Sequence, residues 1–165
     1  QVRQAAWWAV VAGAAGHNYG CNEIWQFYTP DYEPRIHAAT PWKEALDFPG
    51  ASHVGTMKSI VTKRQWHTFE PAPSRVTTGQ DIGDGFAMVA EENRGAALLA
   101  YVPTRKSITL DADCLEPGSR TGWWIDPVDG SKTAAKLGVD GAAVTVRSPA
   151  DTNAGGDQDY VLILE

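Results

Sequence analysis

The stretch that decides the fold is Ala12-Gly13-Ala14-Ala15-Gly16-His17-Asn18-Tyr19-Gly20-Cys21-Asn22-Glu23-Ile24-Trp25-Gln26-Phe27-Tyr28. It begins as the small-residue end of an apolar helix. It then passes through a glycine-bounded segment at residues 17–19 that is short enough to be one buried strand, and it continues as a polar and aromatic loop. A helix, a short strand and a loop with functional side chains are typical of one βα step of an α/β barrel near its active rim.

The aromatic, amide and carboxylate side chains of this loop suit a sugar ligand. Flat aromatic rings stack on the CH groups of a sugar ring, while amides and carboxylates bind its hydroxyls. Because barrel sites use the C-terminal ends of strands, we predict substrate contacts from Tyr19, Trp25 and Gln26. His17 is either a further sugar contact or a histidine with a structural hydrogen bond.

Glu23 is the one carboxylate in this stretch and is therefore a candidate catalytic residue. The alternative is a carboxylate that accepts a hydrogen bond on the rim or is solvated. No second carboxylate has a spacing that would fix a pair, so the residues alone do not supply both an acid and a base.

Composition excludes several classes of protein. The chain has 165 residues and a net charge of −6, which argues against nucleic acid and anionic membrane surfaces as partners. No apolar run approaches the ~20 residues of a bilayer-spanning helix, so no membrane partner is expected. The seven tryptophans belong either to the core or, where exposed, to a carbohydrate-binding surface.

No metal or cofactor is expected. Cys21 and Cys114 lie far apart without a CxxC pattern, which argues against a zinc or redox motif and leaves a disulfide between them as a minor alternative. His37, His53 and His67 are scattered and have no metal-ligand spacing.

Two longer helices are predicted in the first seventy residues. The first covers residues 1–15, and because it is apolar nearly all round we expect it to be buried on most sides. Residues 42–47 form one or two helical turns, and the second long helix then runs to about Arg64, capped by Asp47 or Ser52. Its residues Val54, Met57, Ile60 and Val61 fall on one face.

From residue 71 the periodicity becomes that of strands, with turn signals between them. The strand-like runs are 86–91, 96–102, 107–110, 120–125, 133–137, 143–147 and 160–164. Several short strands at even spacing predict an antiparallel sandwich, with the domain boundary near residues 70–75. Residues 81–85 have some features of a calcium loop but lack its closing glutamate, so we interpret them as a turn. Trp123 and Trp124 are expected on opposite faces of one strand.

Seven motifs occur in order along the chain: residues 3–9, 12–20, 24–28, 42–51, 100–104, 123–127 and 159–165. The first four, among them Gly16-His17-Asn18-Tyr19-Gly20 and Ile24-Trp25-Gln26-Phe27-Tyr28, resemble the last part of the apiosidase-like glycoside hydrolase barrel. The last three, among them Trp123-Trp124-Ile125-Asp126-Pro127, resemble that family's C-terminal domain, which carries the label "putative collagen-binding domain of a collagenase". The resemblance covers nearly the whole chain.

The resemblance implies a fold and a function. The expected fold is an α/β segment, the last βα unit of a (β/α)8 barrel at residues 1–72, followed by an all-β antiparallel sandwich at residues 73–165. The expected function is that of a C-terminal fragment of a secreted or periplasmic glycoside hydrolase that acts on polysaccharide side chains. The alternative is a non-catalytic carbohydrate- or collagen-binding sandwich. Such a module would show a line of coplanar exposed aromatic rings, whereas a supporting sandwich would bury its rings against residues 1–70.

The resemblance also implies that most of a barrel lies upstream of this sequence, which opens inside a helical pattern without a cap. Retaining glycosidases hold two carboxyl groups ~5 Å apart, and by the resemblance both belong to upstream strands. The fragment alone is then expected to be inactive, with the upstream barrel segment as its missing partner. We also expect an unpaired parallel strand at residues 17–19 and an exposed apolar patch. That patch would include Trp7, Trp8, Val10 and Val11.

Overall fold

Four α-helices and ten β-strands make up the described part of the chain. The computed structural model describes residues 2–116 and 120–165, so the predicted helix start at Gln1 and part of the turn predicted at residues 116–118 lie outside the described residues. The helices are α1 (Val2–Val11), α2 (Asn22–Trp25), α3 (Trp42–Ala45) and α4 (Pro49–Val61). None of them is long and apolar enough to cross a membrane. Short 3-10 turns lie at Trp66–Thr68, Pro73–Arg75 and Gly83–Gly85.

The strands follow from residue 69 onward. They are β1 (Phe69–Pro71), β2 (Val76–Thr78), β3 (Met88–Glu92), β4 (Leu98–Val102), β5 (Ser107–Asp111), β6 (Gly122–Ile125), β7 (Lys132–Ala134), β8 (Gly138–Asp140), β9 (Ala143–Arg147) and β10 (Tyr160–Leu164). Each of the seven strand-like runs of the sequence overlaps one of these strands.

The strands form two antiparallel sheets, as the sequence predicts. One has six strands in the order β1-β3-β4-β10-β6-β7, and the other has four in the order β2-β5-β9-β8. The last strand of the chain, β10, pairs with both β4 and β6 and so lies inside the larger sheet. An apolar core that includes Leu98, Ile108, Val144 and Leu162 fills the space between the sheets.

The two central strands of the six-stranded sheet, β4 and β10, are buried on both faces, and this explains their sequence. All five residues of β4 and all five of β10 are buried. Alternate residues contact the smaller sheet, while the others, among them Tyr101 and Ile163, contact α1 and α4. A strand with two covered faces carries a continuous apolar run instead of an alternating pattern.

Helix α1 rests on the outer face of this sheet. Trp7 is fully buried, and its ring is stacked on Tyr101 with centroids 6.2 Å apart. Trp8 meets the same ring edge-on and donates its indole N–H to the carbonyl oxygen of Phe86 at 3.0 Å. The prediction that α1 is buried on most sides is thus confirmed for these residues, while the prediction of an exposed patch at Trp7 and Val11 is wrong because the sheet covers both.

A buried ion pair fixes α1 to the start of β10. Arg3 Nε donates to Asp159 Oδ2 at 2.8 Å and Arg3 Nη2 donates to Oδ1 at 2.6 Å. The Tyr101 hydroxyl and the Asn153 amide also donate to this carboxylate, at 2.9 and 2.7 Å. Burial alone would lower the pKa of Arg3, but the hydrogen bonds to Asp159 and Asp157 raise it above its usual value. The arginine is therefore charged at any physiological pH.

His53 on α4 lies beside this pair, with its Nδ1 3.3 Å from Arg3 Nη1. Burial, followed by the neighbouring Arg3 charge, holds the pKa of His53 below its usual 6.5, while Asp159, Asp157 and Asp126 act in the opposite direction. The folded chain thus favours the neutral imidazole.

The strand predicted at residues 17–19 is wrong. Residues 14–21 form neither helix nor strand, and among residues 22–28 only the short α2 is regular. A parallel strand needs neighbours for its hydrogen bonds, and both described sheets are antiparallel and begin at residue 69 or later. No parallel strand therefore lies in the described residues, and the closing βα unit is not formed there.

The predicted helices differ from the observed ones at their ends. α1 ends at Val11, just before Gly13 at a φ of +89°, a left-handed conformation that suits a glycine beyond a helix end. α4 begins at Pro49 after Phe48, so neither Asp47 nor Ser52 caps it. Pro49 occupies the first helical position instead, which its fixed φ and missing N–H suit. The apolar face of α4 is confirmed, with Met57, Ile60 and Val61 buried.

Residues 12–44 contribute no buried side chain to either core. Several large apolar side chains in and just after this stretch are exposed: Trp25, Phe27, Tyr32, Ile36 and Leu46. The stretch is held mainly by its own hydrogen bonds and by an edge contact between the rings of Phe27 and Trp42, whose centroids are 5.5 Å apart.

Removing the Met57 side chain tests whether α4 covers the sheet. Met57 is 4% exposed, so Met57→Ala should lower the free energy of unfolding by about 2–5 kcal/mol. Leu46→Ala is the matched control, because Leu46 is 55% exposed and its loss should change stability by less than about 0.5 kcal/mol. Urea unfolding of both variants measures the difference; equal effects would show that α4 does not cover the sheet.

The lowered pKa of His53 predicts a loss of stability in acid. Below about pH 6.5 the unfolded chain binds a proton that the folded chain resists, so the free energy of unfolding falls as the pH drops from there. The melting temperature of His53→Gln should therefore fall less between about pH 7 and about pH 5.5 than that of the unaltered chain. The control is His37→Gln, a change at an exposed position. A variant of His53 with an unchanged acid dependence would contradict the prediction.

Candidate functional site

A cavity of about 610 Å³ lies where α1, α4 and the six-stranded sheet meet. α1 contributes Arg3, α4 contributes His53, and the end of β4 contributes Tyr101. The segment that leads into β10 closes the opposite side with residues 156–159. The cavity therefore lies at the junction of the helical segment and the sandwich.

The first turn of α4 shapes one wall of this cavity. Gly50 follows the N-terminal Pro49, and the ring of Tyr19 lies directly against it. A Cβ atom at Gly50 would lie 2.7 Å from Tyr19 Cε2, so a side chain here would push the tyrosine away. Burial and the neighbouring Cys21 raise the pKa of Tyr19, which keeps its phenol protonated.

The charged groups of the cavity are already committed to one another. Asp159 accepts hydrogen bonds from Arg3, Tyr101 and Asn153, so its oxygens are occupied. Burial and the Asp159 charge raise the pKa of Tyr101 well above its usual range. Asp157 is more exposed and accepts from Arg3 Nη2 at 2.8 Å. The arrangement offers hydrogen bonds to a polar ligand, while Asp159 and Tyr101 are held by each other and by Arg3 and are not free for proton transfer.

The structure separates the four predicted substrate-binding residues. Tyr19 lines the large cavity. His17 lines a second one of about 210 Å³, between α1, α4 and Trp66. Trp25 and Gln26 line neither of these two cavities. The four side chains thus form no single pocket among the described residues.

Gln26 has a structural task in this fold. Its amide Nε2 donates to the carbonyl oxygen of Ile36 at 3.0 Å, and its Oε1 accepts from the backbone N–H of Arg35 at 2.9 Å. Both ends of the side chain are used to close the 26–36 loop. Trp25, in contrast, is 63% exposed and leaves an open aromatic face.

Glu23 lies on the short α2 and accepts a hydrogen bond from Cys21 Sγ at 3.1 Å. That bond, together with backbone N–H groups, holds the pKa of Glu23 below its usual value. A general acid needs a raised pKa, so this environment favours an ionised acceptor instead of a proton donor. Both Cys21 and Cys114 are free thiols, and the minor disulfide alternative is excluded.

The described residues contain no group of three or more His, Cys, Asp or Glu side chains placed to hold a metal ion. In the loop at residues 81–85, the positive charge beside the loop oxygens comes from a lysine side chain. Lys106 Nζ donates to Asp81 Oδ2 at 3.2 Å and to the carbonyl oxygen of Gly85 at 2.6 Å. The interpretation of this loop as a turn agrees with that contact.

The cavity residues Arg3, Tyr101, Asp157 and Asp159 were not predicted from the sequence as site residues. One signal was available, because Arg3 is the only charged residue in α1 and Asp159 directly precedes the continuous apolar run of β10. A charge inside or next to a buried run must be paired. Which charges pair across more than 150 positions is not visible in the sequence.

Two protein families match consecutive parts of the chain. Residues 1–68 match the family described as "Apiosidase-like, catalytic domain". Residues 71–165 match the family described as "Putative collagen-binding domain of a collagenase". No curated protein matches the chain.

Solved glycoside hydrolases have a similar structure. One, named "Glycoside hydrolase", is 26% identical with a TM-score of 0.84 over 99% of this chain and 36% of its own. Another, a glycoside hydrolase family 5 protein from Bacteroides vulgatus, is 26% identical with a TM-score of 0.85 over 99% of this chain and 35% of its own. The chain thus spans about a third of the length of these proteins.

These matches confirm the resemblance found in the sequence on both sides of residue 70. The second match alone covers more than half of the 165 residues. The chain therefore belongs to the family described as "Putative collagen-binding domain of a collagenase", joined here to a segment that matches the apiosidase-like catalytic domain.

Proposed function

We propose that this chain is the C-terminal part of a glycoside hydrolase that acts on side chains of polysaccharides. Residues 1–72 belong to its catalytic domain, and residues 73–165 form a sandwich that supports that domain. The enzyme is secreted or periplasmic, where its polysaccharide substrate lies. Its acid and nucleophile carboxylates lie in barrel strands upstream of this sequence.

The placement of the aromatic rings of the sandwich carries this proposal. Tyr101 is buried against Trp7 and Trp8 of α1, and Trp124 and Tyr160 are buried in the sandwich. Trp123 is the only exposed aromatic residue among described residues 73–116 and 120–165, at 39%. A single ring offers no line of stacking platforms for a neutral glycan. Buried rings at the junction are what a supporting sandwich requires.

The exposed aromatic residues lie instead in the segment that matches the catalytic domain. Trp25, Phe27 and Tyr32 are all more than 60% exposed. We assign substrate stacking to Trp25, whose ring is the largest of the three and whose indole makes no stacking contact with another described ring. Tyr19 and His17 belong to the same segment, line separate cavities and are assigned to further sugar contacts.

Two exposed tryptophans make a matched test of this assignment. In the full-length hydrolase that contains this chain, Trp25→Ala should lower kcat/KM on a branched polysaccharide about fivefold, because a stacking contact is worth about 1 kcal/mol. Trp123→Ala should leave kcat/KM unchanged. Neither change should move the melting temperature by much, since both side chains are exposed.

Release of reducing sugar from a branched polysaccharide and from its debranched backbone measures both the activity and its site. Sugar released only from the branched form supports action on side chains, and equal release from both forms contradicts it. An unaffected Trp25→Ala enzyme would contradict the assignment of Trp25. Retention of the 165-residue chain on collagen fibrils or a neutral glycan, lost in Trp123→Ala, would instead support a non-catalytic binding module.

A further inference from the structure

A cationic cleft of about 330 Å³ lies at the margin between the two sheets, away from the helical segment. Three basic residues, Arg105, Lys136 and Arg147, line it, together with the carboxylate of Asp151. Trp124 forms its buried wall and Ser148 is the buried polar residue beside it. We name this feature the basic cleft.

The basic cleft is built where the chain passes from one sheet to the other. Arg105 lies in the connection from β4 of the larger sheet to β5 of the smaller sheet. Lys136 lies in the connection from β7 to β8, which makes the same change of sheet. Arg147 ends β9, and its partner in the register is Ser107 at the start of β5. Three separate parts of the sandwich thus bring their cations to one place.

The three cations of the basic cleft outnumber its carboxylates. In the basic cleft Arg105 pairs with Asp151 at 2.7 Å. In the described part of the chain neither Lys136 nor Arg147 has an ion pair, and both are exposed. The cleft therefore holds a local excess of positive charge on a chain whose net charge is −6.

The wall of the cleft also contains a buried indole N–H group without a partner in the described part of the chain. Trp124 is 2% exposed, and its indole Nε1 has no acceptor among the described residues. A concave site with a local cationic excess and donor side chains favours an anionic ligand with many acceptor oxygens.

We propose that the basic cleft binds an acidic saccharide, with Lys136 and Arg147 contacting the carboxylates of uronate units. A saccharide fits better than a nucleic acid because the negative net charge of the chain repels a long polyanion outside the cleft. The size of the cleft suits a short oligomer. This inference goes beyond the proposed function, since it places a second saccharide contact on the sandwich that does not depend on hydrolysis.

A matched pair of sugars tests the proposal on the 165-residue chain. The probe is a short oligogalacturonate, and its methyl ester is the control, because the ester has the same sugar without the charge. Calorimetry should show binding of the acid that weakens steeply from about 0.02 M to about 0.5 M salt, as expected for partly exposed charges. The ester should bind at least about tenfold more weakly. Equal binding of acid and ester, or no salt dependence, would overturn the proposal.

Matched lysine and arginine variants place the site. Lys136→Gln and Arg147→Gln should each weaken oligogalacturonate binding about fivefold. Lys63→Gln removes the same charge from an exposed position outside the cleft and should have no effect. All three changes lie at exposed positions, and unchanged melting temperatures will show that the variants are folded. An equal loss in Lys63→Gln, or none in the two cleft variants, would overturn the proposal.

Two further ligands test which class of anion the basic cleft binds. Inorganic phosphate that displaces the oligomer at equal concentration would show a simple anion site and overturn the assignment to a saccharide. A single-stranded oligonucleotide that binds more tightly than the oligogalacturonate would overturn it in favour of nucleic acid. These experiments measure binding and not hydrolysis, so a negative result here is independent of the result of the Trp25 experiment.

Discussion

The centre of the six-stranded sheet is apolar on both faces, and the rest of the structure follows from the need to cover them. β4 and β10 bury every residue, which is possible only when one face meets the smaller sheet and the other meets α1 and α4. Burial of such surface is the largest favourable term in folding. The helical segment is thus the second covering layer of the sandwich as well as the segment that matches a catalytic domain.

Apolar contact alone does not decide where a helix rests along a sheet, because it is non-directional. The bidentate pair of Arg3 and Asp159 adds direction, since it forms only at one position of α1 relative to β10. Such a pair costs desolvation, and breaking it leaves an unpaired buried charge. The additional bonds from Tyr101 and Asn153 satisfy the carboxylate and lower that cost. The cavity beside the pair follows from the same geometry, because α1, α4 and the approach to β10 meet there.

Local patterns in the sequence predicted the sandwich well and the first segment less well. β5 and β9 alternate buried and less buried residues, and that period of two is readable without any neighbour. The missed strands β1, β2 and β8 have three residues each and no buried side chain, so they carry no such pattern. The strand expected at residues 17–19 was wrong because so short a segment forms a strand only beside a partner. Tyr19, which lines the large cavity, could be predicted because aromatic rings near a rim are recognisable, whereas the Arg3–Asp159 pair depends on long-range folding.

The exposed aromatic rings of residues 12–44 and the cations of the basic cleft lie on different parts of this chain, and the fold explains both. Two large rings of the sandwich are buried by packing, since Tyr101 faces α1 and Trp124 faces the core. Residues 12–44 have no fully buried side chain, and the rings of Trp25, Phe27 and Tyr32 remain open to a ligand. Two arginines near the helical junction form ion pairs, Arg3 with Asp159 and Arg64 with Glu165. At the far margin of the sandwich no such packing demand exists, and Lys136 and Arg147 are left to meet an anion from outside.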